Sequence, residues 1–360
     1  FSGEVVKAIL ISLSRGNAQA NNDGLFASDH ANNLINGVDV SGVRGATEKA
    51  HALLEAELMT IEQMKQLENP DGRISFGDNK NEIGQLKKYA VSSQGIKTGD
   101  DGHYKNYYWE LTDFRNNCLS IGGPIQSNSL GFCYSLNWKN RDKFARLQGL
   151  SAYLKQGISL TNVRKILAFQ YTGKAYTSEV TIVIPNKASD LPAIYCYMIN
   201  EEFEHEVRKI DQNLAISTAV VVKVPFEHER WTRVAEEQYP KGLPKPYTND
   251  PTQWIFHGHP CGSVLWDEST KWTATGPVRI DNTVLQIAAA RLLGYRWPAE
   301  LDADMELSDE QRALVASCDA LLGFADKDGI VCIPAVRGER SAADRLLDLL
   351  VAAYGKAWKS

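Results

Sequence analysis

Apolar and polar positions change their period several times along the chain, and each change marks an element. Over residues 47–66, Ala50, Leu53, Leu54, Ala56 and Leu58 recur at helical spacing, which predicts one helix ended by Asn69-Pro70-Asp71-Gly72. Ahead of it, residues 15–45 are rich in Asn, Gly, Ser and Asp and read as loop. The opening phrase, with Val5, Val6, Ile9, Leu10, Ile11 and Leu13, reads as a packed core element, so the expectation is a chain continuing from a preceding segment. Residues 130–138 are β-like, and Val180-Thr181-Ile182-Val183-Ile184 is a strand stopped by Pro185 and Asn186. Leu191, Ile194, Tyr195, Met198, Ile199, Phe203 and Val207 then predict one amphipathic helix over 190–210. A polar hinge comes next, and Ala219-Val220-Val221-Val222-Lys223-Val224 predicts a second strand, terminated by Pro225. Pro244, Pro246 and Pro251 mark 241–251 as a linker. Beyond it the periods predict helices over 282–293, 308–322 and 341–354, the last capped by Gly355.

Composition narrows the class. With 360 residues, 43% of them hydrophobic and 23% charged, the chain can bury two or three cores, and disorder is not the default. No apolar run approaches the roughly 18 residues of a membrane span, so a soluble, cytoplasmic protein is expected. The six cysteines are scattered without a C-x-x-C pair, which points to free thiols rather than a zinc ribbon or a disulfide framework. A net charge of −5 argues against a generic nucleic-acid binder, but the charge is uneven. Between 134 and 174 lie Lys139, Arg141, Lys143, Arg146, Lys155, Arg164, Lys165 and Lys174, with Asp142 the only acid; residues 300–328 are strongly acidic.

The most distinctive phrase is Gln94-Gly95-Ile96-Lys97-Thr98-Gly99-Asp100-Asp101, followed by Tyr104, Tyr107, Tyr108, Trp109 and Glu110. On the residues alone it fits a structural turn leading into a core strand better than a loop in which Lys97 and Thr98 serve a phosphate. The phrase resembles, however, the G-x-x-T-G-D segment with a following W-x-E at the edge of the target-recognition region of large adenine-specific DNA methyltransferases. These are the phage-defence enzymes of the BREX and DISARM systems and the related type IIG restriction–modification enzymes. Gln156-Gly157-Ile158-Ser159-Leu160 looks like their G-I-T/S-W element, and 178–226 looks like a recognition half of strand, helix, hinge and strand. The hinge, Asn213-Leu214-Ala215-Ile216-Ser217-Thr218-Ala219, departs at its glycine position. Residues 288–298 and 328–335 resemble the helical C-terminal part of the same proteins, and Ser2-Gly3-Glu4-Val5-Val6 resembles the segment just C-terminal to their catalytic domain.

The resemblance implies an α+β protein with a mixed-sheet target-recognition domain over 90–245. A remnant following the methyltransferase domain would occupy 1–89, and a helical C-terminal domain 246–360. The implied function is sequence-specific recognition of double-stranded DNA, with the missing methyltransferase domain, and other defence-system subunits, as further partners. The N/D-P-P-Y/F tetrapeptide and the glycine-rich strand-turn for S-adenosylmethionine are both absent, so this chain is expected to hold no catalytic residue, no metal and no cofactor, the methyl donor belonging to the parent protein.

DNA contact is expected in the basic, aromatic-interleaved segment 164–176, which on its residues alone would read as a solvated basic strand pair. The candidate contacts are Lys97, Thr98, Lys155, Ser159, Asn162, Arg164, Lys165, Gln170, Tyr171, Thr172 and Lys174. Three other readings stay open. Asp71, Asp78 and Lys80 loosely fit a metal-dependent nuclease, although their spacing is short. His257-Gly258-His259, with Cys261 and Asp267 nearby, suggests a hydrolase metal, although nothing completes four ligands. A protein-interaction module without DNA binding is the third, drawing on the acidic C-terminal stretch.

Overall fold

The computed structural model describes residues 34–38, 40, 43, 45–64, 66, 84–107, 118–121, 132–163, 165–211 and 213–358. The opening apolar phrase, the Asn69-Pro70-Asp71-Gly72 turn, Asp78 and Lys80, Tyr108-Trp109-Glu110 and Arg164 lie outside them. The chain divides into two compact units, Phe1–Gln85 and Leu86–Ser360.

In the first unit β1 (Leu34–Gly37) pairs antiparallel with a strand that comes after α1 (Ala46–Glu55), namely β2 (Met59–Glu62). The helix predicted over 47–66 is therefore too long. Ala56 is extended, at φ −68° and ψ 147°, and from Met59 the chain is a strand, with exposed Thr60 between half-buried Met59 and Ile61. β1 lies inside the stretch expected to be loop, because Leu34 and Ile35 find a ladder in β2 that local composition does not announce.

The second unit opens with β3 (Ala90–Gln94), α2 (Asp101–Tyr104), β4 (Lys105–Tyr107), β5 (Cys118–Ile121) and β6 (Phe132–Leu136). β7 (Gly157–Thr161), β8 (Ala168–Tyr171), β9 (Ala175–Tyr176) and β10 (Val180–Pro185) come next. They form two four-stranded sheets. The order β3-β10-β7-β8 is antiparallel throughout; β4-β6-β5-β9 is mixed, because β9 runs parallel to β5.

Strand alternation buries the first sheet on both sides. Ile158, Leu160 and Val183 face α3 (Leu191–Met198), α4 (Glu201–Ile210) and α5 (His228–Gln238), packing with Ile194, Tyr197, Phe203, Val207 and Trp231. Val180, Ile182 and Ile184 face the other way, onto Ile255, Phe256, Met305, Leu307 and Val315. Each such side chain contributes on the order of 1.5–3 kcal/mol by leaving water. The sheet is thus fixed from both faces.

Between residues 190 and 224 two predicted elements change, and the helix predicted over 308–322 ends at Ser317, with a 3₁₀ segment Cys318–Phe324 after it. The single helix over 190–210 is two, broken at Ile199–Asn200, where the Asn200 side chain accepts the Glu202 N–H at 3.0 Å and starts α4. The expected strand over 219–224 is a series of turns, with Val220 N–H donating to Ser217 O at 3.0 Å and Lys223 N–H to Val220 O at 2.9 Å. Its valines suggest strand because they are β-branched. Val221 and Val224 instead plug the core beneath the helices, while Val222 and Val224 carbonyls accept from Lys87 and Leu86.

The proline-rich stretch 241–251 is packed rather than free: Pro246 O accepts from Ser308 N–H at 2.9 Å, and the Gln311 side chain accepts from Thr248 N–H at 3.3 Å. After it come a hairpin of β11 (Val264–Asp267) and β12 (Trp272–Thr275), then α6 (Thr283–Leu292), α7 (Pro298–Leu301), α8 (Asp309–Ser317) and α9 (Ala342–Tyr354). Gly355, at φ +51°, comes directly after α9 as expected. The molecule is an α+β protein with a helical C-terminal region. Among the described residues no helix is long and apolar enough to cross a membrane.

Candidate nucleic-acid interface

Register decides which loops meet. Gln94 lies opposite Thr181, and Thr161 opposite Val180, so the chain leaves β3, leaves β7 and enters β10 at one end of the sheet. The loops 95–99, 162–167 and 177–179 therefore collect there. The hinge 213–218 joins them through a bridge between Val163 and Ala215 and a bond from Ile216 N–H to Asn162 O at 2.9 Å.

The Gly95-Ile96-Lys97-Thr98-Gly99 loop is held by its backbone. Ile96 N–H donates to Tyr176 O at 2.9 Å, and Ala145 N–H to Thr98 O at 2.9 Å. Lys97 and Arg146 exchange two backbone bonds, at 3.0 and 2.9 Å, which sets the two cationic residues side by side. Its glycines are there for close approach: a Cβ on Gly95 would lie 2.4 Å from the Thr177 carbonyl oxygen, and Gly99, at φ +84°, would place one 2.8 Å from the Ala145 Cβ. Just before Arg146, the short 3₁₀ turn Trp138–Lys143 carries exposed Lys139, Arg141 and Lys143, with the Arg141 guanidinium over the Trp138 ring at 5.6 Å.

Beside this loop opens a cleft of about 330 Å³, lined by Ile96–Gly99, Asp101, Lys105, Ala145 and Thr177–Glu179. The Lys105 side chain is only 8% exposed, and its ammonium sits between Asp101 Oδ2 at 2.8 Å and Glu179 Oε1 at 3.4 Å. Thr98 donates its hydroxyl to Asp101 Oδ1. Burial pushes the Asp101 carboxyl upward, but hydrogen bonds from Lys105 and Thr98, with the Lys105 charge, outweigh it and hold the group below its ordinary value. Glu179 is 43% exposed at the rim, and its second oxygen accepts from the Thr177 hydroxyl at 3.3 Å.

The expected contact set is divided by this geometry. Lys97 and Lys165 are exposed and reach the same loop end. Lys155 is exposed but precedes β7, and Lys174 lies near it; a five-residue strand at about 3.3 Å per residue separates Lys155 from the end where Lys165 stands. Lys174 is tied to Asp302 at 3.0 Å. Gln170 is half-buried opposite Ile158, and Thr172, also half-buried, comes after β8 at the far end.

Four of the expected contacts are spent on the fold. Thr98 is 3% exposed and engaged by Asp101, and Ser159 is fully buried, its hydroxyl donating to Phe169 O at 3.4 Å. Tyr171 is 1% exposed, with its hydroxyl on Lys174 O at 2.6 Å. Asn162 is locked between Ser178 O at 3.3 Å and the Thr181 hydroxyl at 2.8 Å. In this structure the polar groups of these four are used within the fold. Sequence reasoning passes over Arg146, whose only signal is its place in the basic run, and Glu179, which has none.

The histidine loop is packed into the fold, with His257 buried. His257 Nδ1 accepts the His259 N–H at 3.3 Å, so the ring proton sits on Nε2, and Cys261 donates to Ala353 O at 3.1 Å. Asp267 instead accepts the Ser269 N–H at 2.8 Å. Among the described residues no group of three or more His, Cys, Asp and Glu is placed to hold a metal ion. Burial, with His259 and Arg291 beside it, holds the His257 imidazole down to about 3, and burial holds His259 down to about 4. The unfolded chain takes protons on these rings below roughly pH 6.5 while the native state refuses them, so stability is complete above that pH and falls as pH drops toward 3. Between pH 7.5 and 5 the parent is expected to lose about 2 kcal/mol through His257 alone, and His257→Gln to lose correspondingly less. Equal losses in denaturant melts at the two pH values would remove this assignment.

No family model matches this chain, and no curated protein matches it either.

Proposed function

We propose that the chain is the DNA-specificity part of a longer adenine-N6 DNA methyltransferase of a restriction–modification or phage-defence system. It binds double-stranded DNA sequence-specifically and presents an adenine to a methyltransferase domain that supplies S-adenosylmethionine chemistry. The observation that carries this reading is the gathering of exposed Lys97, Arg146 and Lys165 at one loop end of a doubly buried sheet. None of the three has an ion pair among the described residues. Cations left without acids suit phosphates, and rigid loops beside them suit base edges. The resemblance of the Gly95–Gly99 phrase to the edge of a recognition region points to the same end. With a net charge of −5, any such footprint is local, which favours a defined site over general attraction to polyanions.

The test is selection at low salt from duplexes with a randomised core, retained on the full chain and sequenced. A single enriched sequence is the expected result. Retention without sequence preference, or none at all, would overturn the proposal.

A further inference from the structure

Resting on that reading, we infer that Glu179 is a base-reading residue, its carboxylate accepting a hydrogen bond from the exocyclic amine of a cytosine on the major-groove edge of a C·G pair. The argument begins from an oddity of charge. Glu179 stands where the chain enters β10, at the same sheet end as Lys97, Arg146 and Lys165. A carboxylate amid phosphate-binding cations repels the backbone and weakens non-specific attraction. Beyond its bonds to Lys105 and Thr177, it gains on DNA only where a donor is brought to it, and on a duplex the donors are the exocyclic amines; glutamate and aspartate pair with the cytosine N4 amine.

The group is built to stay in place. Lys105 holds Oε1 at 3.4 Å, and Lys105 is itself fixed by Asp101 at 2.8 Å. Thr177 holds Oε2 at 3.3 Å. Each oxygen has a further lone pair, and the side chain is 43% exposed toward the cleft mouth. A purely structural partner for Lys105 needs no such opening, since Asp101 already supplies a closer carboxylate. Lys105 acts here as a positioning residue, and Glu179 as the group that touches the base. Discrimination follows from the wrong edge as much as the right one: a carbonyl or N7 acceptor turned toward the carboxylate leaves two acceptors face to face.

The experiment repeats the randomised-duplex selection with Glu179→Gln and Glu179→Ala. The amide keeps an acceptor for Lys105 and Thr177 but adds donors, and pairs with adenine N6 and N7. Glu179→Gln is expected to move one position of the enriched sequence from cytosine toward adenine, and Glu179→Ala to flatten that position, with a loss of roughly tenfold or more in preference. The other positions should stay as in the parent. A parent that selects a sequence while both variants enrich the identical one overturns this inference and leaves the DNA reading standing. A parent that selects nothing overturns both.

Discussion

Replacing Lys97, Arg146 and Lys165 together by alanine is expected to reduce duplex affinity by two orders of magnitude or more at low salt, because each phosphate contact releases about one condensed counterion. The clearer readout is the slope. If all three meet phosphates, log K against log salt should flatten by roughly 2.7, at about 0.9 per contact, while the preferred sequence stays unchanged. Lys155 and Lys174 provide the control. They lie at the other end of β7, and Lys174 is neutralised by Asp302, so replacing this pair should leave both affinity and slope close to the parent. A slope that responds to Lys155 and Lys174 but not to the loop-end set would place the duplex on the wrong end of the sheet. The triple variant is expected to fold, since all three side chains are exposed and their backbone bonds survive alanine.

How much of the fold is legible in the sequence depends on which forces are local. The strand over 180–184 and the helices at 283–292 and 342–354 declare themselves through period and punctuation, and Gly355 through its end position. The break at Asn200 is hidden because the apolar spacing runs straight across it; only the capping asparagine betrays it. The 219–224 stretch misleads because β-branched residues serve a buried turn as well as a strand once hydrogen bonds come from Leu86 and Lys87, more than a hundred residues away in sequence. The site shows the same limit. Lys97 and Lys165 stand out by composition, but that Ser159 and Tyr171 point into a core depends on a sheet covered on both faces. Arg146 becomes a neighbour of Lys97 only through a long-range bridge, and Glu179 acquires meaning only when Lys105 folds beside it.

The helical part offers a test of a different kind. Arg291 on α6 and Glu300 on α7 are each 2% exposed and meet at 3.1 Å. Glu300 also accepts the Trp297 N–H at 2.7 Å, while the guanidinium donates to Gly258 O and lies 4.7 Å from the centre of the Trp297 ring. Trp297 in turn stacks on Trp254 at 5.2 Å. One buried pair thus ties α6, α7 and the histidine loop into a single node. Taking two charges from water is costly, and their attraction offsets that cost only while both remain. Glu300→Ala, which strands the guanidinium charge in the core and frees the Trp297 N–H, is therefore expected to cost about 3–5 kcal/mol in urea denaturation. Arg291→Met with Glu300→Leu removes both charges and keeps the volume, so the double variant should recover the part of that loss due to the stranded charge, while the unpaired Trp297 N–H and Gly258 carbonyl keep it less stable than the parent. A loss from Glu300→Ala below about 1 kcal/mol would show that water reaches the pair, since that is the range of exposed salt bridges.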